Sequence, residues 1–248
     1  MIASSTQNAL YQECTLGNAV TDAMILYTGA DIAIVNGGML KGNLLHGNVT
    51  EQDIAESITD APLALAQVSA KQLFDILEAA LSYVVIDDGR QYVPDKSENA
   101  AFPQISGFRI SYDPSAPYGE RLARLTVNNE PLDKNDTETT FTLVSTVAFL
   151  EGQFGTPPVE DFTLTGDTLH SVFISYIKDG MDDIYALPEN RVNAMGVNKS
   201  QESSRRYMIF TAIAILIIFY VLGMRIRKRR PSYEIEDITD STESEENK

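Results

Sequence analysis

The sequence predicts an α+β domain followed by one membrane-spanning helix. Three observations carry that prediction: helical apolar periodicity comes early, extended runs come later, and an uncharged stretch of 18 residues stands near the C-terminus. The chain has 248 residues, 44% of them hydrophobic, with a net charge of −16 and one cysteine. That apolar share suffices for a packed core. Once the uncharged stretch and the tail are set aside, about 200 residues remain, which suits one domain rather than two.

The first element is a helix. Leu16, Val20, Ala23, Met24 and Tyr27 fall at helical spacing, and Gly29 supplies the stop. Asp31 to Val35 (DIAIV) reads as a buried strand entering a tight loop at Asn36-Gly37-Gly38. Thr50 followed by Asp53 has the spacing of a capping box. Leu63 to Val68 is a strand, after which Ser69 caps a helix with Leu73, Ile76, Leu77, Ala80, Leu81 and Val84 on one face.

Residues 87–103 are polar and irregular. Beyond them, Ile105–Asp113, Ala123–Asn128 and Thr140–Thr146 are β-rich runs separated by turn residues, which predicts an antiparallel meander. Leu169, Val172, Phe173, Tyr176 and Ile177 mark a last amphipathic helix. Helices precede strands, hence α+β. The domain is expected to fill residues 1–180, with a juxtamembrane stalk at 181–206.

Tyr207 to Met224 carries no charge, and as a helix its 18 residues span roughly 27 Å, close to the hydrocarbon thickness of a bilayer. Arg225, Arg227, Lys228, Arg229 and Arg230 follow it, against Arg205 and Arg206 before it. This bias predicts a plasma-membrane span with the C-terminal side in the cytoplasm and the domain outside. The tail at 225–248 turns from basic to acidic and is poor in apolar residues, as disordered tails are. The lipid bilayer is thus an expected partner.

Other classes are excluded. Residues 1–198 hold 10 Lys and Arg against 27 Asp and Glu, so the surface repels nucleic acid. Cys14 has no partner for an intramolecular disulfide and reads as a buried small hydrophobe. His46 and His170 are too few for a histidine-rich metal centre, so no metal ligands and no cofactor are assigned to this chain. The N-terminal stretch MIASSTQNALYQE lacks the basic and apolar regions of a signal peptide. Either the span serves as its own late signal or, the favoured expectation, these residues are the C-terminal part of something longer.

Four segments then carry a family resemblance: Glu13–Met24, Ala30–Gly42, Phe102–Asp113 and Ser145–Gly152. In this order and spacing they resemble the C-terminal domain of the 5′-nucleotidase family. The resemblance implies a fold of that type and a role in positioning a nucleoside. It also implies that catalysis belongs to a separate N-terminal metallophosphoesterase domain with two divalent metals, acting in cis or in trans. No catalytic residue is therefore assigned here.

Carried over one position at a time, Asn36, Gly37 and Gly38 match the family's Asn-Gly-Gly-Gly-Ile-Arg loop. Lys41 falls where that loop has arginine, keeping a cation and losing the planar fork. Phe149 matches one of two base-stacking rings. Residues 58–67 (ITDAPLALAQ) lack the second ring, Gly152-Gln153-Phe154-Gly155 lacks the family's ribose-binding aspartate, and Leu10 stands where some members carry an arginine. Losing one stacking face forfeits about 1–3 kcal/mol. The nucleoside or nucleotide site thus reads as eroded.

Plainer readings stand beside these. Asn36-Gly37-Gly38 serves equally as turn chemistry if its glycines take positive φ, Phe149 ends an apolar run and suits a core, and Lys41 suits a solvated surface. The resemblance favours the recognition domain of a membrane-anchored 5′-nucleotidase-like phosphohydrolase. A non-catalytic surface binding or adhesion module is the alternative.

Overall fold

The computed structural model describes residues 8–44, 49–94, 101–180 and 188–196. The span predicted at 207–224, the tail after it, most of the 181–206 stalk and His46 lie outside them. Among the described residues no helix is long and apolar enough to cross a membrane.

Helix α1 (Thr15–Thr28) begins where the Cys14 side chain accepts the Gly17 N–H, and it ends at Gly29, whose φ of 70° is the left-handed cap that glycine adopts without strain. Strand β1 (Ile32–Asn36) is buried along its whole length because both its faces are covered. Helix α2 (Glu51–Ser57) carries the predicted Thr50–Asp53 capping box. Strand β2 (Pro62–Ser69) leads into α3 (Ala70–Ala80), where Ser69 and Gln72 form a second box.

A short hairpin, β3 (Val85–Asp87) and β4 (Arg90–Tyr92), occupies part of the stretch predicted as irregular. Then come β5 (Pro103–Ser106), β6 (Phe108–Tyr112), β7 (Leu122–Val127), β8 (Glu130–Pro131), β9 (Thr140–Thr146) and the short α4 (Val147–Leu150). Strand β10 (Phe162–Thr168), helix α5 (Leu169–Lys178) and β11 (Val192–Ala194) complete the order.

Five strands form a central sheet in the order β10-β2-β9-β1-β5, and β11-β6-β7-β8 form a second sheet. On the central sheet, alternate side chains serve opposite layers. Ala33, Val35, Leu63 and Val144 pack with α1 and α5. Ile32, Ile34, Ala64, Ala66 and Leu143 pack with α3, α4 and residues of the second sheet.

The predicted meander is corrected. Thr140–Thr146 does not follow its sequence neighbours into the second sheet. It returns to the central one, antiparallel to β2 and parallel to β1. The fold is therefore mixed α/β, with interleaved rather than segregated elements. The run Ile105–Asp113 is also two strands, divided at Gly107 between the two sheets. There φ is +86°, and a Cβ would stand 2.3 Å from the Asp31 carbonyl oxygen. Apolar alternation reports that a run is extended, but not which strand it will join.

The domain also reaches past its predicted end at 180. Strand β11 pairs in parallel with β6. Just before it, Arg191 forms a bidentate pair with Asp22 of α1, at 2.6 and 2.7 Å. Glu13 accepts the Glu189 N–H at 2.7 Å and the Val192 N–H at 3.3 Å. A partner about 170 positions away leaves no periodic trace in sequence.

Candidate functional site

Strands β1 and β9 run side by side in the same direction, with Ile32 opposite Leu143 and Ala33 opposite Val144. Their carboxyl ends, Asn36 and Thr146, therefore open onto one edge of the sheet. In open sheets with parallel strands this is where ligands collect. The turn at Gly37–Met39 leaves β1 there, and α4 with the loop after it leaves β9.

The Asn36 loop is fastened from several sides. Gly37 N–H donates to the Phe102 carbonyl at 2.7 Å, and Thr59 N–H donates to the Met39 carbonyl at 2.7 Å. Lys41 and Gly42 both donate to the Ser57 carbonyl, at 2.8 and 3.2 Å, and Leu40 bridges to Ile58. The segment Ser57–Thr59 is thus the second wall of the loop, and sequence patterning gave no sign of it. Gly37 is required by packing: a Cβ there would lie 1.9 Å from the Ala9 carbonyl oxygen. Neither Gly37 nor Gly38 has a positive φ, so positive φ is not what this turn asks of them; at Gly37 the reason is close approach.

The structure brings together some of the predicted residues and separates others. Asn36 is fully buried, Gly37 is buried and Gly38 is half-buried. Asn36 shares its strand face with Ile32 and Ile34, the face that looks toward α3 and Phe149. Phe149 lies on α4 and is 1% exposed, so its ring offers no open face to a base; it behaves as the core residue that the plainer reading described. Lys41 is exposed.

After Phe149 the chain turns through Gly152 (φ +74°), half-buried Phe154 and Gly155 (φ +81°). A Cβ on Gly152 would stand 2.6 Å from the Thr156 carbonyl oxygen. The glycines of this loop are thus kept by geometry.

Burial pushes the Cys14 thiol up to about 12, so it stays protonated and inert. His170 has a ring nitrogen 2.8 Å from the Ile58 carbonyl, and His46 lies outside the described residues. Among the described residues, no three His, Cys, Asp or Glu side chains stand together as metal ligands would. What the edge offers is a buried amide, tightly held backbone and neighbouring aromatic rings.

Comparison with known proteins agrees with this geometry. Residues 2–158 match the family model for the 5′-nucleotidase C-terminal domain. The chain is similar to an apyrase of Aedes albopictus, 29% identical over 183 residues, which cover 67% of the chain and 30% of that protein. It is also similar to a 5′-nucleotidase of Diplobatis ommata, 25% identical over 210 residues, covering 76% of the chain and 34% of that protein.

Among solved structures, a 5′-nucleotidase precursor from Thermus thermophilus superposes with a TM-score of 0.64 at 25% identity, over 80% of this chain and 38% of that one. The NAD nucleotidase of Haemophilus influenzae shares the fold, with a TM-score of 0.58 at 21% identity over 73% of this chain and 33% of that one. The chain spans about a third or less of the length of the curated relatives it matches.

Proposed function

The chain belongs to the 5′-nucleotidase C-terminal domain family, and from that premise we propose that it is the nucleoside- or nucleotide-recognition domain of a membrane-anchored 5′-nucleotidase-like phosphohydrolase. The observation that carries this reading is the meeting of the Asn36 loop and the Phe149–Thr156 loop at the carboxyl ends of β1 and β9. Hydrolysis belongs in this reading to a metallophosphoesterase domain bearing divalent metals, joined in cis or supplied in trans. The uncharged run at 207–224 is its plasma-membrane anchor, with the domain outside and the 225–248 tail in the cytoplasm.

The full chain, incubated with AMP and added divalent metal, should release no phosphate above background. Sustained turnover would sink the assignment of catalysis to another domain. Protease added to intact cells should remove the domain, and its protection there would reject the orientation.

The burial of Phe149 and the exposure of Lys41 favour a second reading, in which the fold persists as a non-catalytic surface binding or adhesion module. Titration with adenosine, AMP and UDP-sugars separates the two. A chain that takes up none of them fits the second.

A further inference from the structure

The Asn36 loop has a third wall, and one buried side chain holds it. Residues 8–14 precede α1 and contain no strand or helix beyond a single turn, in which the Tyr11 and Gln12 N–H groups donate to the Asn8 carbonyl at 3.0 and 2.7 Å. This segment bears on the edge at two points. The Ala9 carbonyl occupies the space that a Cβ on Gly37 would need. Tyr11 packs, half-buried, against the cluster that contains Ile34, Phe102 and Phe149.

The place of the segment is set by Gln104, which lies on β5 opposite Val35 and is fully buried. Its Nε2 donates to the Ala9 carbonyl at 3.0 Å and to the Gln12 carbonyl at 2.8 Å. Its Oε1 accepts the Cys14 N–H at 2.9 Å. Gly17, in the first turn of α1, makes room for this amide, because a Cβ there would overlap the Gln104 side chain. One side chain thus answers three backbone groups that have no strand or helix to pair with. The carbonyl it holds at Ala9 is the one that stands against Gly37, at the head of the turn that leaves Asn36.

We propose that Gln104 is a positioning residue of this edge: its amide fixes residues 9–14 against the Asn36 loop and thereby fixes the loop for its ligand. This rests on the nucleoside-recognition reading above. Close-packed walls transmit a displacement rather than absorb it, so moving the amide moves Ala9 and, with it, the Gly37 turn.

The test compares four forms of the full chain in detergent micelles: wild type, Gln104→Met, Gly17→Ala and Arg191→Met. Gln104→Met removes the amide at similar volume, and Gly17→Ala displaces it from the other side. Arg191→Met loosens the fold at the far end of β5, where Arg191 reaches the Ile105 carbonyl. Hydrogen–deuterium exchange, read by mass spectrometry, should quicken at residues 8–14 and at Gly37 in the first two variants, while β7 keeps its wild-type rates. Calorimetric titration with adenosine should show saturable binding by wild type. Gln104→Met and Gly17→Ala should bind about tenfold more weakly, the worth of one misplaced hydrogen bond. Arg191→Met should bind as wild type does.

Circular dichroism checks folding, and if Gln104→Met does not fold, Gly17→Ala decides. If the loosened variants keep wild-type affinity, or Arg191→Met weakens binding equally, Gln104 serves stability alone; its assignment then falls and the nucleoside reading stands. If wild type gives no saturable heat with adenosine, the nucleoside reading falls and carries the assignment with it.

Discussion

The two ends of β5 are held by different means. At its start, where Pro103 lies opposite Asn36, the neighbouring loop is fixed by backbone hydrogen bonds and by the absence of a Cβ at Gly37. At its finish, where Ser106 lies opposite Ala33, the fastening is ionic. Arg191 grips Asp22, reaches the Ile105 carbonyl at 3.1 Å and pairs with Glu189 at 3.3 Å, while Ser106 donates to Asp22 at 2.5 Å. Burial works against the Arg191 charge, but the hydrogen bonds and attraction from Asp22, with a smaller share from Glu189, outweigh it and raise its pKa.

The contrast teaches where each end tolerates change. The ionic end depends on two side chains keeping their charges, and the loop end depends on one side chain being absent.

The largest effect that would test this contrast is Arg191→Met. It leaves Asp22 uncompensated in a site where Arg191 is only 9% exposed. It should cost about 3–5 kcal/mol in urea unfolding, as removing one partner of a buried pair does. Asp22→Asn with Arg191→Met should cost less than the two single changes together. A loss below about 1 kcal/mol for Arg191→Met, the range of an exposed pair, would mean that the pair does not fasten this end.

Next comes Gly37→Ala. A Cβ placed 1.9 Å from the Ala9 carbonyl oxygen forces backbone to move, so about 3 kcal/mol is expected, the upper range of overpacking. Lys41→Ala in the same loop should stay within about 0.5 kcal/mol, because the side chain is exposed. Equal costs for the two would show that the loop is not held by close approach at Gly37.

The smallest effect concerns α2, whose last residue offers the carbonyl that receives Lys41 and Gly42. Its capping box holds the Asp53 carboxyl below the ordinary carboxylate range, first through the Thr50 hydroxyl and then through the Thr50 amide. A depressed acid stabilises the fold above its unfolded pKa and loses that contribution as pH falls through the lowered folded value. Asp53→Asn should therefore flatten the acid side of the stability–pH curve. An unchanged curve would show that the box does not support the loop.

Several elements were legible in the sequence because their causes are local. The stop at Gly29, the Thr50–Asp53 box, the Ser69 cap and the β1 strand before Asn36 each follow from neighbours within four residues. The four ordered segments likewise reached the right family. The burial of Cys14 was legible too, though not its capping of α1.

What failed had distant causes. The return of Thr140–Thr146 to the central sheet, the break at Gly107 and the recruitment of Arg191–Ala194 depend on partners far along the chain. Phe149 shows the same limit at the site. The resemblance marks it as a stacking ring and its apolar run marks it as core, and only the packing around α4, which buries it, separates the two.

By itself, then, the sequence determined local element identity, caps, the acidic surface and family membership, because propensity, periodicity and charge act over short range. Tertiary structure alone decided which strands pair, where the chain is latched and whether a ring is open or covered. Those outcomes depend on side chains and backbone that meet only after folding.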